Sequence, residues 1–139
     1  ISATPTIMEN ARLTFVDHVI HTETLNYSPY NVSFMVRNKP EYMKLRDGLT
    51  ELSISTGSPT DAQVEKIAEE AHTHYERLNF SDISLSQKYF KQLGTQFSVR
   101  QTPTIIVINR ETKKGKKLIG LDQISAESLT KAVRSLNKR

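Results

Sequence analysis

The stretch that decides the fold lies in the last third of the chain. It begins Phe97-Ser-Val-Arg-Gln-Thr-Pro-Thr104 and continues with the apolar run Ile105-Ile-Val-Ile108. A turn rich in lysine then leads to Lys117-Leu-Ile-Gly-Leu121, and a segment with helical periodicity follows. Two short apolar runs joined by such a turn predict a hairpin.

Pro103 sets the start of the first strand of this hairpin. Proline cannot donate a hydrogen bond inside a central ladder, so the strand is expected over 104–109, directly after it. The strand is almost entirely apolar, which is typical of a strand covered on both faces. The turn over 109–116 leads to a second strand over 117–121, which we expect to be antiparallel to the first.

The final segment predicts a helix that begins after Ser125. Serine is a preferred residue at a helix N-cap, where its hydroxyl accepts a hydrogen bond from a free backbone amide. Apolar residues then recur at helical spacing on one face. They are Leu129, Ala132, Val133 and Leu136.

Upstream of the hairpin, three segments predict further strands. Residues 11–22 are rich in β-branched and aromatic residues, and residues 32–36 form a short apolar run. A third candidate covers 51–56, around Ile54. Between the last two strands, Pro40 occupies a suitable first helical position. The apolar residues that follow it at helical spacing are Tyr42, Met43, Leu45, Leu49 and Leu52.

Two more helices are predicted between the third strand and the hairpin. Thr60 and Gln63 have the spacing of a capping box, and the apolar positions after them continue at helical spacing to Leu78. A polar break at Ser81-Asp82 precedes another helix over about 84–94, which Gly94 is expected to end.

Strands that alternate with helices predict a three-layer α/β sandwich around a central mixed sheet. A length of 139 residues favours one domain over 1–139, with residues 1–10 as a loose lead-in. No apolar run approaches about 18 residues, so no membrane span is expected.

In their order, these elements resemble the thioredoxin superfamily. The match is carried by Thr102-Pro103-Thr104, the hairpin, the strand with Gly120 and the last helix, which together cover residues 97–137. The Thr-Pro-Thr turn of that family usually holds a cis proline, so the resemblance implies a cis bond before Pro103. It also implies that residues 57–83 are a helical insertion before that turn, somewhat as in DsbA-like and other exported members.

The resemblance offers two positions for the redox motif of the family. Asn38-Lys39-Pro40-Glu41 follows a predicted strand and opens a predicted helix, as Cys-X-X-Cys does in thioredoxins, and we prefer this degenerate position. Ser28-Pro29-Tyr30-Asn31 resembles the Cys-Pro-Tyr-Cys of glutaredoxin-like and bacterial disulfide proteins. The residues that follow it predict a strand, whereas the redox motif should open a helix.

The chain contains no cysteine, which excludes thiol-disulfide exchange and thiolate metal sites for its own residues. The resemblance therefore implies a redox-inactive, non-catalytic protein that binds other proteins. In redox members the backbone before the cis proline pairs with an extended substrate peptide. The expected peptide-binding residues are thus Arg100, Gln101, Thr102 and Pro103. The resemblance also implies a role as an assembly component of a bacterial envelope, secretion or conjugation machine.

The first residue, Ile1, is not methionine, which favours a processed N-terminus. A periplasmic or otherwise exported location is therefore expected, with the cytoplasm left open.

A second class of function stays open beside protein binding. A glutathione-type small molecule could lie against Thr102-Pro103, with polar contacts from Asn38, Lys39 or Ser28. A third is docking on nucleic acid or anionic lipid through the basic residues of 113–117 and Lys138-Arg139, which the weak clustering of charge disfavours.

The four histidines do not predict a metal site. His72 and His74 lie two apart on a predicted helix, and His18 and His21 lie three apart on a predicted strand, so each pair points in different directions. No cofactor is expected.

Overall fold

A computed structural model describes residues 7, 9 and 11–138 of the chain. These residues divide into two compact units. The helical unit is Phe15–Phe97, and the hairpin unit combines the described residues up to Thr14 with those from Ser98 onward.

The helical unit contains a short 3-10 helix over Thr22–Asn26 and four α-helices. Their bounds are Ser28–Arg37 for α1, Tyr42–Ser55 for α2, Asp61–Glu70 for α3 and Phe80–Gln96 for α4.

The hairpin unit contains two strands and a helix. Strand β1 covers Thr104–Ile108, β2 covers Gly115–Ile119, and α5 covers Ala126–Asn137. The strands are antiparallel, with Ile106 opposite Lys117. The predicted hairpin is confirmed, although β2 begins two residues earlier than expected. No helix of the described residues has the length and apolar character that a membrane crossing requires.

The mixed α/β class is confirmed, with five α-helices and a two-stranded antiparallel sheet among the described residues. The three-layer thioredoxin-like sandwich is not confirmed. Three of the predicted strands are wrong: 32–36 lies in α1, 51–56 is mostly the end of α2, and 11–22 has no strand in it.

The prediction at 32–36 failed because a short apolar run does not distinguish a strand from a buried helix. Helix α1 has its proline at the first turn, where the missing N–H costs no helical hydrogen bond. Tyr30 and Phe34 lie one turn apart in one hydrophobic cluster, and Val32 lies in another. A helix that is buried on opposite sides has apolar residues at consecutive positions, as a buried strand does.

The main core forms between α1, α2 and α3. Each of these helices contributes a fully buried side chain, namely Phe34 from α1, Leu45 from α2 and Val64 from α3. A smaller cluster joins Val32 of α1 to Leu78 and to Ile83 of α4. Since α1 belongs to both clusters, it is the helix around which the helical unit packs.

Residues 15–18 are extended and are held by side chains instead of a strand ladder. The ring of Phe15 packs edge-on against Tyr42, with ring centroids 5.0 Å apart. The imidazole of His18 lies against Gly94 of α4, where an added Cβ would overlap the ring. The sequence suggested that Gly94 ends α4, but the helix continues to Gln96. The missing side chain of Gly94 lets the segment that carries His18 approach the helix.

The capping box of Thr60 and Gln63 at the start of α3 is confirmed, but the helix ends at Glu70 and not near Leu78. Its end is a Schellman motif, in which the Thr73 N–H donates to the Ala68 carbonyl at 2.9 Å and the His72 N–H donates to the Glu69 carbonyl at 2.9 Å. His72 has φ of 60°, the left-handed conformation that glycine normally supplies there.

The segment after α3 returns to α1 through polar contacts. Ser33 of α1 is fully buried, and its Oγ accepts a hydrogen bond from the Leu78 N–H at 3.1 Å. Asn38, which caps the end of α1, donates from Nδ2 to Thr73 Oγ1 at 2.9 Å. These bonds satisfy the Leu78 N–H and the Asn38 amide nitrogen, two groups that have no helical partner.

In the hairpin unit, the predicted helix after Ser125 is confirmed. Ser125 Oγ accepts from the Ser128 N–H at 3.1 Å and completes a capping box with the Ser128 side chain. Asn109, at the end of β1, donates from Nδ2 to the Leu136 carbonyl at 2.8 Å and so ties the hairpin to α5.

We expect His72→Gly to stabilise the protein by about 1 kcal/mol, because glycine adopts positive φ without the Cβ clash. The measurement is the free energy of unfolding in urea. Glu69→Gly, on the exposed side of α3, is the matched control and should lose about 1 kcal/mol. A loss of stability in both variants would contradict the left-handed conformation at His72.

We expect Gly94→Ala to lower the free energy of unfolding by about 1–3 kcal/mol, because the methyl group displaces the His18 ring. In a His18→Ala background the same change should be neutral or stabilising by up to about 1 kcal/mol, since alanine favours the helix over glycine. A double-mutant cycle measures the coupling, and additive effects would show that the ring does not occupy this position.

Candidate functional site

The two sets of predicted site residues lie in different units. Arg100, Gln101, Thr102 and Pro103 belong to the hairpin unit, and Asn38–Glu41 belongs to the helical unit. We therefore describe the two positions separately.

Residues 38–41 connect α1 to α2. Asn38 is only 7% exposed, and its amide nitrogen donates to Thr73 Oγ1 and, at 3.3 Å, to the His74 carbonyl. Lys39 and Pro40 are exposed, and Glu41 is the N-cap residue of α2. Asn38 is thus a structural anchor between α1 and the segment after α3.

Residues 28–31 are the alternative position for the redox motif. The strand predicted after them is wrong, because residues 32–36 lie in α1. Ser28 is the first residue of α1, so Ser28-Pro29-Tyr30-Asn31 opens a helix. Asn38–Glu41 also lies at a helix start, since Glu41 is the N-cap residue of α2.

A single carboxylate joins the two ends of that tetrapeptide. Ser28 Oγ donates to Asp17 Oδ2 at 2.5 Å, and Asn31 Nδ2 donates to Asp17 Oδ1 at 3.1 Å. Gln87 of α4 donates from Nε2 to Ser28 Oγ at 3.0 Å, and Tyr42 of α2 donates from its hydroxyl to Asn31 Oδ1 at 2.9 Å. These five residues form the Asp17 network.

The geometry of the Asp17 network is that of a structural element. Ser28 is 2% exposed, its proton is directed at Asp17, and its oxygen already accepts from Gln87. A serine in this state has almost no exposed surface, and its proton is already donated, so it offers little to a small ligand. The network links the extended segment at Asp17 to α1, α2 and α4.

The histidines are placed differently from the prediction. His72 and His74 follow α3 and do not lie on it, and His74 Nδ1 lies 3.1 Å from Glu65 Oε1. Within the described part of the chain, no group of three or more His, Cys, Asp or Glu residues is arranged to hold a metal ion.

In the hairpin unit, the four predicted peptide-binding residues are all exposed. The Thr102–Pro103 peptide bond is cis. The Pro103 carbonyl accepts from the Gly120 N–H at 2.9 Å, and Thr104 Oγ1 donates to the Gln101 carbonyl at 2.7 Å. These two bonds tie the residues before β1 to the hairpin.

The hydrogen bonds at both ends of the hairpin fix which backbone groups face outward. Gly120 bonds to Pro103 at one end, and the Asn109 N–H donates to the Lys114 carbonyl at 2.9 Å at the other. In an antiparallel ladder, bonded and non-bonded pairs alternate. Odd-numbered residues of β1 therefore bond to β2, whereas Thr104, Ile106 and Ile108 direct their N–H and C=O groups away from it.

This outward side of β1 is the candidate binding edge. No hydrogen bond among the described residues uses the outward N–H groups of Thr104, Ile106 or Ile108. Ile108 is 48% exposed, and no charged residue lies within β1. An apolar strand with an unpaired row of amides is a template for another strand.

The chain matches no protein-family model, no curated protein and no solved structure. The candidate site therefore rests on the geometry of the described residues.

The outward side of β2 differs from that of β1. The Ile119 N–H faces outward and donates to Gln123 Oε1 at 3.0 Å, so a side chain from the following turn caps it. Strand β2 also carries Lys116 and Lys117. Charged residues, lysine above all, protect an edge strand against unwanted pairing. Among the described residues, the hairpin is thus protected along β2, whereas the outward N–H groups of β1 have no hydrogen-bond partner.

Sequence reasoning located β1 but missed the binding edge and the Asp17 network. Which residues of β1 bond to β2 follows from the length of the turn, and the predicted turn over 109–116 is too long because β2 begins at Gly115. Asp17 lay in a predicted strand and gave no local signal of its contacts with Ser28 and Asn31. The hydrogen bond between Gln123 and the Ile119 N–H could not be predicted, because it depends on the position of the turn after β2.

We expect stability to fall in alkali as tyrosines of the helical unit ionise. Burial raises the pKa of Tyr42 to about 12, against about 10 in the unfolded chain. The phenolate is therefore disfavoured in the folded state, so stability is complete below about pH 10 and is lost as pH rises through about 12. Burial also raises the pKa of Tyr75 to about 12, so it contributes in the same window.

Tyr42→Phe should remove the contribution of one proton from the slope of the unfolding free energy against pH. Urea unfolding and tyrosinate absorbance between pH 9 and about pH 12 measure this slope. At neutral pH the variant should lose only about 1 kcal/mol, the value of the hydrogen bond to Asn31. An unchanged alkaline slope would show that Tyr42 ionises freely in the folded protein.

Proposed function

We propose that this chain is a non-catalytic protein-interaction domain that binds an extended segment of a partner protein as an added strand. The observation that carries the proposal is the candidate binding edge, the outward side of Thr104–Ile108. A peptide strand laid along this edge would satisfy the outward amides and carbonyls with main-chain hydrogen bonds.

The predicted peptide-binding residues extend the same edge. Arg100–Pro103 directly precedes β1 and is exposed, so a partner strand that pairs with β1 could continue along these residues. The bond from the Gly120 N–H to the Pro103 carbonyl holds Pro103, the last residue of this segment, against the end of β2.

The absence of cysteine supports a binding role without thiol chemistry. The buried state of Ser28 supports the same conclusion, because the residue that opens the redox-like tetrapeptide is engaged by Asp17 and Gln87. A thioredoxin-like ancestry and a role as an assembly component of a bacterial envelope, secretion or conjugation machine belong to this proposal. They rest on the resemblance of residues 97–137.

Amide hydrogen exchange tests the proposal directly. Peptides that bind the chain would first be selected from a random-sequence library. In the free chain, the amides of Thr104, Ile106 and Ile108 should exchange fast, because they have no acceptor. A bound peptide should slow these three amides by at least about tenfold and leave the Ile119 amide, which Gln123 already caps, unchanged. Protection confined to β2 or to the helical unit would contradict the proposal.

A second test of main-chain pairing compares two substitutions at Ile106, the central residue of the candidate binding edge. Ile106→Pro removes one outward N–H, in the orientation in which an edge strand tolerates proline. We expect it to abolish peptide binding, whereas Ile106→Ala, which also removes most of the side chain but keeps the N–H, should only weaken it. Equal affinity of the two variants would exclude main-chain pairing at Ile106.

A further inference from the structure

We infer that the partner segment is acidic, with apolar residues at alternate positions and carboxylates at its flanks. The inference rests on the proposed function, since it names the chemistry of the strand that pairs with β1. It is carried by the charges around the candidate binding edge.

Basic residues stand at both ends of that edge. Arg100 precedes β1 by four residues and Arg110 follows it by two, and both are exposed. No ion pair within the described residues engages either guanidinium. Strand β1 spans about 13 Å from its first to its last Cα at roughly 3.3 Å per residue. A partner strand of similar length would end within a few residues of each arginine.

The turn of the hairpin adds to the same charge. Residues 98–121 include six basic residues and one acidic residue, Glu111. Lys113, Lys114 and Lys116 are exposed around the turn. Because complementary charge raises both the rate and the specificity of association, the positive field of this region favours an acidic partner and repels a basic one.

The side chains of β1 explain why the partner segment should carry apolar residues at alternate positions. Thr104, Ile106 and Ile108 lie on one face of the sheet, because successive side chains of a strand alternate between faces. Ile108 is 48% exposed on that face. Apolar residues at every second position of the partner strand would cover Ile106 and Ile108 through cross-strand contacts.

Two other occupants fit these observations less well. A second copy that paired its own β1 along this edge would bring the basic flanks of both copies close together, which like-charge repulsion disfavours. A nucleic acid strand normally stacks its bases on aromatic side chains, and residues 98–121 contain no aromatic residue.

The test uses the full chain and two nine-residue probes in fluorescence anisotropy. Both have a core of alternating valine and threonine. One probe is flanked by two glutamates at each end, and the other by two glutamines. We expect the glutamate probe to bind at least about fivefold more tightly at low salt, the effect of two to three exposed ion pairs. The preference should vanish at about 1 M salt, where charges are screened within about 3 Å.

Charge variants locate the effect at the two arginines. Arg100→Gln with Arg110→Gln should remove the preference for glutamate. The control, Lys131→Gln with Arg134→Gln on exposed positions of α5, lowers the net charge equally and should keep it. If the control loses the preference as well, the effect comes from overall charge, and the assignment to the flanks of β1 is overturned.

The remaining outcomes separate this inference from the proposed function. Equal binding of both probes, with exchange protection at Thr104, Ile106 and Ile108, would overturn the acidic partner and retain strand addition. Failure of both probes and of every selected peptide to protect these amides would overturn both. Tighter binding of an oligothymidine strand than of the glutamate probe, or dimerisation through β1 in sedimentation, would assign the edge to nucleic acid or to a second copy.

Discussion

The burial of α1 on opposite sides is the constraint on which the helical unit depends. Val32 and Phe34 are both fully buried, yet they belong to different hydrophobic clusters, so the helix packs against α2 and α3 on one side and α4 on another. Deleting a side chain as large as Phe34 from such a core typically costs about 3–5 kcal/mol. The polar residues of α1 follow the same constraint. Ser33 and Ser28 are buried, and each holds a segment that has no regular structure.

The same constraint explains which elements could be predicted from the sequence. Helices α3 and α5 carry capping boxes and one-sided apolar patterns, and their starts were predicted correctly. Strand β1 was located because Pro103 marks its beginning. Helix α1 was mistaken for a strand because residues that are buried on opposite sides produce a continuous apolar run. The end of α3 was missed because the left-handed position of its Schellman motif holds His72 instead of glycine.

The candidate site was harder to predict than the fold, since its chemistry lies in the backbone. The sequence supplied Arg100–Pro103 from a resemblance and β1 from its composition. Which amides face outward depends on the ladder register, and that register follows from the bonds at Pro103 and Asn109. Protection of the opposite edge depends on Gln123, whose contact with the Ile119 N–H requires the observed position of the turn after β2.

Within the part of the chain that the structure describes, the two edges of the hairpin differ: the outward N–H of Ile119 on β2 is capped, whereas the outward N–H groups of β1 have no partner. A chain selected only against aggregation would protect both edges with charge, bulges or caps. Here the cap and the lysines lie on β2, while the charges around β1 stand at its ends, at Arg100 and Arg110. Charge at the ends of a strand leaves its amides accessible and adds attraction for a complementary partner. The asymmetry therefore favours a strand that pairs on one side by function and is blocked on the other.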